Sequence, residues 1–242
     1  AVWSLSETGA ANGVVTHSSG NHGAALALAA RTRGIPAHVV VPEGAVKSKV
    51  AAIETYGAIV HRCAPTQAAR EALAAQIQAQ TGARLVHPFT DPAVIAGQGT
   101  ATLELLSQTG TLDAVIAPVG GGGLASGTGI AARGLAPATR VFAAEPEGAP
   151  DAYESLRRGE RISEQTPDTI CDGLRTIIGA PNFAVLQSHQ VAVLLVSDAD
   201  TLAAMRLVWE RLKILVEPSC ATVLAAVLRH RERFAGQRIG LI

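Results

Sequence analysis

The sequence predicts an α/β fold made of two α/β domains with mostly parallel sheets. Short apolar runs alternate with Ala- and Leu-rich segments of about 10–15 residues, several of which end at glycine. This alternation is typical of parallel strands that helices connect and cover. Two loops, 18–23 and 120–123, each follow a predicted strand and precede a predicted helix, which is where α/β proteins bind ligands.

The first elements lie between residues 13 and 88. Gly34, Gly57 and Gly82 directly follow three apolar helical patterns and predict the helix C-termini. We predict a smaller domain, 13–88, with strands at 13–16, 38–41, 58–61 and 84–87 and helices at 24–33, 46–56 and 66–81.

The remaining elements form the larger domain, which we assign to residues 1–12 and 89–242. Ser197 and Asp200 have the spacing of a capping box and predict a helix that runs to about Leu212. We predict strands at 114–119, 140–144, 192–196 and 239–242, with further helices at 124–133 and 218–231.

Composition restricts the class of protein. The chain has 242 residues, 48% hydrophobic and 17% charged, with 20 basic and 20 acidic residues spread along it. We therefore expect a globular protein that binds small molecules, with no nucleic acid or membrane partner. Cys63, Cys171 and Cys220 lack metal-site spacing and fit free thiols, and no leader or apolar span is visible, so we expect a cytoplasmic location.

The four glycines Gly120–Gly123 are the most informative feature of the chain. Glycine amides can approach an anion closely, and the helix that follows offers unpaired N–H groups, so the loop predicts a phosphate site. No Gly-Lys-Ser/Thr ending follows, which excludes a P-loop. Gly120, Gly122 and Ala125 fit G-x-G-x-x-A and Glu145 lies about twenty residues on, so a nicotinamide site stays open.

The loop Ser18–Gly23 concentrates two hydroxyls, an amide and an imidazole at a predicted helix N-terminus. An ordinary helix cap needs only one such side chain. This loop predicts a site for a carboxylate.

Several segments resemble one family when they are taken together. They are 16–23 (THSSGNHG), 87–88 (HP), 92–100 (PAVIAGQGT), 119–124 (VGGGGL), 143–146 (AAEP), 172–173 (DG) and 207–218 (LVWERLKILVEP). They are similar to serine racemases and threonine/serine dehydratases, pyridoxal-phosphate (PLP) enzymes of fold type II, with a tryptophan synthase β-like fold. The resemblance is collinear over nearly the whole chain.

The resemblance implies a role for each matching position. Gly120, Gly121, Gly122 and Gly123, with the Leu124 amide, would hold the PLP phosphate. Asn21 would bind the ring hydroxyl, and Gly173 would lie against the cofactor.

The resemblance also implies the residues that contact substrate. Ser19 would be catalytic and exchange the α-proton. The substrate residues would be Ser18, Ser19, Asn21, His22, Arg70 and His87.

Further implications concern ions, effectors and assembly. Glu145, Asp151 and the Ala149 carbonyl would bind Mg²⁺ or Ca²⁺, for which oxygen ligands are suitable. Lys49 matches a position that contacts a nucleotide effector, although ordinary surface charge is the simpler explanation of this lysine. The resemblance also suggests a homodimer.

The implied activity is that of a PLP-dependent lyase (serine/threonine dehydratase) or an amino-acid racemase. Both start by removing the α-proton of a hydroxy amino acid of the serine, threonine or hydroxyaspartate class. In the family the lysine that binds the cofactor precedes the position of Ala1 and a Ser-Gly-Gly-Asn-like segment follows that of Ile242, so we expect a fragment with N- and C-terminal parts missing. The alternatives are an NAD-dependent oxidoreductase that uses Glu145 and a non-catalytic module that binds a phosphorylated ligand.

Overall fold

The computed structural model describes residues 1–242, which divide into two compact units, Ala1–Val94 and Ile95–Ile242. Each unit contains one four-stranded sheet, and every pair of neighbouring strands is parallel. The prediction of two α/β layers is confirmed.

The sheet of the first unit has the strand order β3-β2-β1-β4. Its strands are β1 Val14–His17, β2 Ala37–Pro42, β3 Ile59–Cys63 and β4 Arg84–Leu85. Its helices are α1 Glu7–Ala10, α2 Asn21–Arg33, α3 Lys47–Thr55 and α4 Gln67–Thr81, and a short 3-10 helix spans Val2–Ser4.

The side chains of strand β2 pack against helices on both faces of this sheet. Val39 and Val41 pack against Val50 and Ile53 of α3, while Val40 packs in a second cluster with α4. Successive side chains of a strand point to opposite faces, so an uninterrupted valine run is typical of a strand with helices on both sides.

The sequence predicts that residues 1–12 belong to the larger domain. In the structure, Val2 is 4% exposed and packs in one core cluster with Val14 and Leu26 of the first unit. The short apolar segment around Val2 carries no helical period that could have shown this contact from the sequence.

The sheet of the second unit has the order β7-β6-β5-β8. Its strands are β5 Ala114–Pro118, β6 Arg140–Pro146, β7 Ala192–Val196 and β8 Ile239–Leu241. Its helices are α5 Pro92–Thr109, which begins just before this unit, α6 Gly123–Leu135, α7 Asp151–Arg158, α8 Ala180–Ser188, α9 Asp198–Leu207, α10 Pro218–Arg229 and α11 Arg231–Phe234, with a 3-10 helix at Asp172–Leu174.

Two core clusters cover the faces of this second sheet. Ile116 and Phe142 pack with α9 and α10 on one face, and Ala117 and Ala143 pack with α6, α7 and α8 on the other. Strand β5 ends at Pro118 and α6 begins at Gly123, so the glycine loop connects the carboxyl end of this strand to the helix.

The predicted capping box at the start of α9 is confirmed. Ser197 Oγ accepts a hydrogen bond from the Asp200 amide at 3.1 Å, and Asp200 Oδ2 accepts one from the Ser197 amide at 3.2 Å. The α-helix ends at Leu207 and continues as a π-helical turn over Val208–Leu212.

Helices α5, α7 and α8 are absent from the sequence prediction. Glycines interrupt the helical pattern of α5, and one of them has a packing reason. A Cβ on Gly99 would lie 2.9 Å from the carbonyl oxygen of Gly127 in α6, so the pair lets these two helices approach closely.

No helix in the structure combines the length and the apolar character that crossing a bilayer requires.

Candidate active site

The glycine loop of the second unit has a conformation that only glycine adopts without strain. Gly122 precedes α6 with φ +90°, in the left-handed region. A Cβ on Gly122 would lie 2.8 Å from Asn182 Cβ, and one on Gly120 would lie 3.0 Å from Leu174 Cα. Side chains at these positions would collide with neighbouring chain segments.

Several amides of the same loop have no acceptor within the chain. The Gly121 carbonyl accepts hydrogen bonds from the Gly179 amide at 3.0 Å and from Asn182 Nδ2 at 2.7 Å, which fixes the turn. The first hydrogen bond of α6 runs from the Ser126 amide to the Gly122 carbonyl at 2.9 Å, and the amides of residues 120–125 donate to no acceptor in the structure. Unpaired amides at the positive end of a helix dipole fit a phosphate group.

Gly173 lies beside this loop. Its amide donates to Ser219 Oγ at 3.0 Å, and a Cβ on Gly120 would lie 3.2 Å from its carbonyl oxygen. The second unit thus brings together the predicted cofactor positions Gly120 and Gly173, which are 53 positions apart in the sequence.

The serine loop of the first unit is also a tight connection, between β1 and α2. Ser18 Oγ accepts a hydrogen bond from the Gly20 amide at 3.4 Å, and the Ser18 carbonyl oxygen lies 2.3 Å from where a Cβ on Gly23 would be. Ser18 and Ser19 are half-buried and Asn21 is exposed. Helix α2 begins at Asn21, three residues earlier than predicted, so its N-terminal turn belongs to the loop.

Three histidines of the first unit lie near this loop. The rings of His17 and His87 pack edge to face with centroids 5.1 Å apart, and His87 Nδ1 accepts a hydrogen bond from the Thr90 amide at 3.2 Å. Burial lowers the pKa of His17 and His87, and it lowers the pKa of His22 to about 4. These rings are therefore neutral at pH 7.

Among the predicted substrate residues, two buried polar atoms lack a partner within the chain. They are His22 Nε2 and Arg70 Nε. A hydrogen bond between the His22 ring and the Val86 backbone opposes the effect of burial on the pKa. Because Nε2 is the unpartnered nitrogen, that bond uses Nδ1 and leaves Nε2 as an acceptor for a ligand hydroxyl or amine. The Arg70 N–H is a donor that suits an anion.

Burial of His22 makes the protein less stable in acid. An unfolded histidine binds a proton below about pH 6.5, whereas folded His22 binds one only below about pH 4, so the unfolded state binds more protons in between. The free energy of unfolding should fall by about 3 kcal/mol from this residue as the pH is lowered across that window. Chemical denaturation of wild type and His22→Asn at several pH values measures the difference.

His22→Asn should show a smaller loss of stability in acid than the wild type, relative to each protein at pH 8. Equal slopes for the two proteins would contradict the assignment. Titration of the His22 ring by NMR gives the folded pKa directly.

Glu145 and Asp151 form a buried acidic pair in the second unit. Glu145 is fully buried, and its two oxygens accept hydrogen bonds from the Ala152 and Tyr153 amides, both at 2.8 Å. Asp151 accepts from Gln165 Nε2 and from the Ile178 amide, both at 2.6 Å. Burial, and next the charge of Asp151, raise the pKa of Glu145, and burial raises the pKa of Asp151 to about 6.

This geometry argues against the nicotinamide alternative. That alternative needs an acidic side chain at a strand end that is free to bind ribose hydroxyls. Glu145 lies inside β6 with no exposed surface, and both its oxygens already bind the start of α7.

The remaining predicted positions are Ala149 and Lys49. Ala149 is fully buried in the turn between Glu145 and Asp151, where its amide donates to the Pro146 carbonyl at 2.9 Å. Lys49 lies half-buried in the first turn of α3.

Sequence reasoning missed His17 and Asn182. His17 directly precedes the serine loop, and that position was the available signal. Asn182 lies 61 positions from the Gly121 carbonyl that it binds, and no local pattern marks it.

Comparisons with known proteins identify the family of the chain. The sequence matches the family described as pyridoxal-phosphate dependent enzyme over residues 1–242. It is 46% identical over 242 residues to a beta-hydroxyaspartate dehydratase of Paracoccus denitrificans, covering 100% of this chain and 77% of that protein. It is 49% identical over 247 residues to a serine racemase of Dictyostelium discoideum, covering 100% and 76%.

A solved structure shows the same fold. The serine racemase of maize is 41% identical, with a TM-score of 0.95, covering 99% of this chain and 74% of that chain. The chain belongs to the pyridoxal-phosphate dependent enzymes of the tryptophan synthase β-like fold.

Proposed function

We propose that the protein is a PLP-dependent enzyme that acts on a small hydroxy amino acid, as a serine/threonine dehydratase, a serine racemase or both. The observation that carries the proposal is the set of unpaired amides at residues 120–125 in a chain of this family. Relatives named as a hydroxyaspartate dehydratase and a serine racemase, at 46% and 49% identity, support the substrate class.

PLP, when bound, supplies an electron sink for the charge that forms at the substrate α-carbon. The amides of Gly120–Gly123 and Leu124 would hold its phosphate, because they point unpaired at the start of α6. Asn21 would bind the ring hydroxyl, and the backbone at Gly173 would lie against the cofactor. Glycine at 120 and 173 lets these segments pack closely, because a Cβ at 120 would lie 3.0 Å from Leu174 Cα and one at 173 would lie 2.9 Å from Ser219 Oγ.

The serine loop would bind and orient the substrate. Ser18, Ser19, Asn21 and His22 would surround its carboxylate end, with Arg70 and His87 close by. The unpaired Arg70 Nε–H can donate to an anion, and the neutral His22 ring can accept from a hydroxyl or amine. Fixed donors of this kind orient a substrate for proton transfer.

Ser19 would move the proton at the α-carbon. Its hydroxyl carries no hydrogen bond within the chain, so it can give a proton to or take one from that carbon. Return of a proton to the opposite face inverts the amino acid, which is racemisation. Departure of the β-hydroxyl instead leads to a 2-oxo acid and ammonia, which is dehydration.

An activity assay of the full-length protein with PLP tests this function. The protein is incubated with L-serine, L-threonine and 3-hydroxyaspartate, and 2-oxo acid, ammonia and the opposite enantiomer are measured. Product from at least one substrate supports the proposal. Binding of PLP without any product would favour the non-catalytic module, and tight NADH binding without PLP binding would favour the oxidoreductase.

We also propose a Mg²⁺ or Ca²⁺ site at Glu145, Asp151 and the Ala149 carbonyl. The two carboxylates are buried and close enough for their charges to interact, which is unfavourable unless a cation or a proton offsets it. Each carboxylate oxygen accepts one hydrogen bond and keeps a lone pair for a hard cation.

Divalent cations should therefore stabilise the protein. We expect millimolar Mg²⁺ or Ca²⁺ to raise the Tm by several degrees, because binding to the folded state alone contributes about 3 kcal/mol at 100 times the Kd. Thermal unfolding with and without each cation measures the effect.

Asp151→Asn should lose most of this shift in Tm. The matched control is Glu160→Gln, which removes an exposed carboxylate just after α7 and should keep the full shift. An identical shift in Asp151→Asn and the control would place the cation elsewhere.

The remaining parts of the proposal come from the resemblance. They are a homodimer, a cytoplasmic location and contact of Lys49 with a nucleotide effector. Light scattering tests the dimer, and comparison of ATP effects on wild type and Lys49→Ala tests the effector contact.

A further inference from the structure

A cleft of about 340 Å³ lies in the second unit at the amino ends of β6 and β7. The glycine loop follows the carboxyl end of β5, which is parallel to β6, so this cleft is at the opposite edge of the sheet. Four basic side chains line it: Arg133, Arg140, His189 and Arg233.

The positive charges of this cleft have no acidic partner. The residues that line it include no aspartate or glutamate, and Arg133, Arg140 and Arg233 make no ion pair in the structure. The chain as a whole has equal numbers of acidic and basic residues, so this local excess is not a consequence of composition. Grouped cations inside a concave surface attract anions.

Two of the guanidinium groups are held in place by one buried ring. Arg140 and Arg233 lie over Phe142, with their Cζ atoms 5.6 and 5.0 Å from its centroid. Arg140 Nη2 also donates to Gln237 Oε1 at 2.7 Å. A guanidinium has five N–H donors, so most donors of both groups stay available while the stacking limits their motion.

Gln190 also lines the cleft and has an unfavourable backbone conformation. It follows α8 with φ +53°, a position that usually carries glycine. A side chain kept at such a position is more often found at functional sites.

Stabilisation of helix C-termini by basic residues explains why Arg133 lies in the last turn of α6. It does not explain Arg140, which begins a strand.

We propose that this cleft binds a small multivalent anion that carries phosphate or carboxylate groups. Its volume is at the lower end for ligand pockets, which suits a compact anion. Arg133, Arg140 and Arg233 bind its charged groups, and Gln190 adds an amide donor.

Calorimetric titration of the PLP-loaded full-length protein tests this proposal, with pyrophosphate as the phosphate probe and citrate as the carboxylate probe. We expect saturable binding of at least one probe, weakened tenfold or more in Arg140→Ala/Arg233→Ala. The matched control is Arg62→Ala/Arg206→Ala, which removes two exposed arginines outside the cleft and should bind as the wild type does. The probe that binds more tightly identifies the charged group.

Gln190→Gly gives an independent readout. Relief of the left-handed conformation should raise the Tm, while loss of the side chain should weaken anion binding. Absence of saturable binding at millimolar probe, or equal affinity in the wild type and the double arginine variant, would overturn the proposal. A probe that binds only at the glycine loop would show equal affinity in the wild type and in the double arginine variant.

Discussion

Ser19→Ala is expected to reduce racemisation by about 10²–10⁴-fold, the range typical of losing one acid–base group. Alanine removes the hydroxyl that we propose gives or takes the α-proton on one face of the substrate. One enantiomer loses its α-proton from the face opposite Ser19. Dehydration of that enantiomer should continue, because it does not need the Ser19 hydroxyl. Chiral chromatography of serine and an assay of pyruvate, with the same samples of full-length protein, measure the two reactions.

The ratio of the two reactions identifies the role of Ser19. Ser18→Ala removes the neighbouring hydroxyl, which accepts a hydrogen bond from the Gly20 amide, and should raise KM for both reactions together. Ser107→Ala, at an exposed serine of α5, is the matched control and should change neither. Equal losses of racemisation and dehydration in Ser19→Ala would mean that this residue binds substrate without moving the proton.

Gly122→Ala is expected to weaken both the fold and the binding of PLP. An L-residue at φ +90° costs about 1–2 kcal/mol, and the new methyl group would lie 2.8 Å from Asn182 Cβ, which forces the loop to shift. The free energy of unfolding should fall by about 2–4 kcal/mol. The affinity for PLP should fall at least tenfold, because the shift misaligns the amides at residues 120–125.

Denaturant unfolding and a PLP titration measure these two effects separately. Gly134→Ala, in the helix that follows the loop, is the matched control, because no atom lies within 4 Å of a Cβ added there. Replacing a glycine inside a helix should stabilise the protein by up to about 1 kcal/mol and leave PLP affinity unchanged. Unchanged stability and affinity in Gly122→Ala would show that the loop does not need its left-handed turn.

The features that the sequence predicted well are those with local causes. Gly34, Gly82 and Gly122 end or begin helices because of backbone conformations that other residues avoid. The capping box of Ser197 and Asp200 depends on a spacing of three residues and formed as expected. Strand β2 was visible because its buried valines are consecutive.

Features that depend on distant partners were not visible. Helix α7 has eight residues, and Glu145 holds its first turn from the preceding strand. The sequence placed Glu145 at a strand end, where an exposed carboxylate was possible, and only packing showed that it is buried. The contact between the rings of His17 and His87 was not visible in the sequence either, since these residues are 70 positions apart.

The sequence by itself determined the fold class, the glycine and serine loops and the family resemblance, because each depends on short spacings and on the conformational freedom of glycine. The tertiary structure decided which amides stay unpaired, which carboxylates lose water, which histidines are neutral and where arginines converge without acidic partners. Hydrogen bonding, burial and charge at those places depend on segments that the chain brings together over tens of residues. For that reason the glycine loop could be found in the sequence, and the basic cleft at the other edge of the same sheet could not.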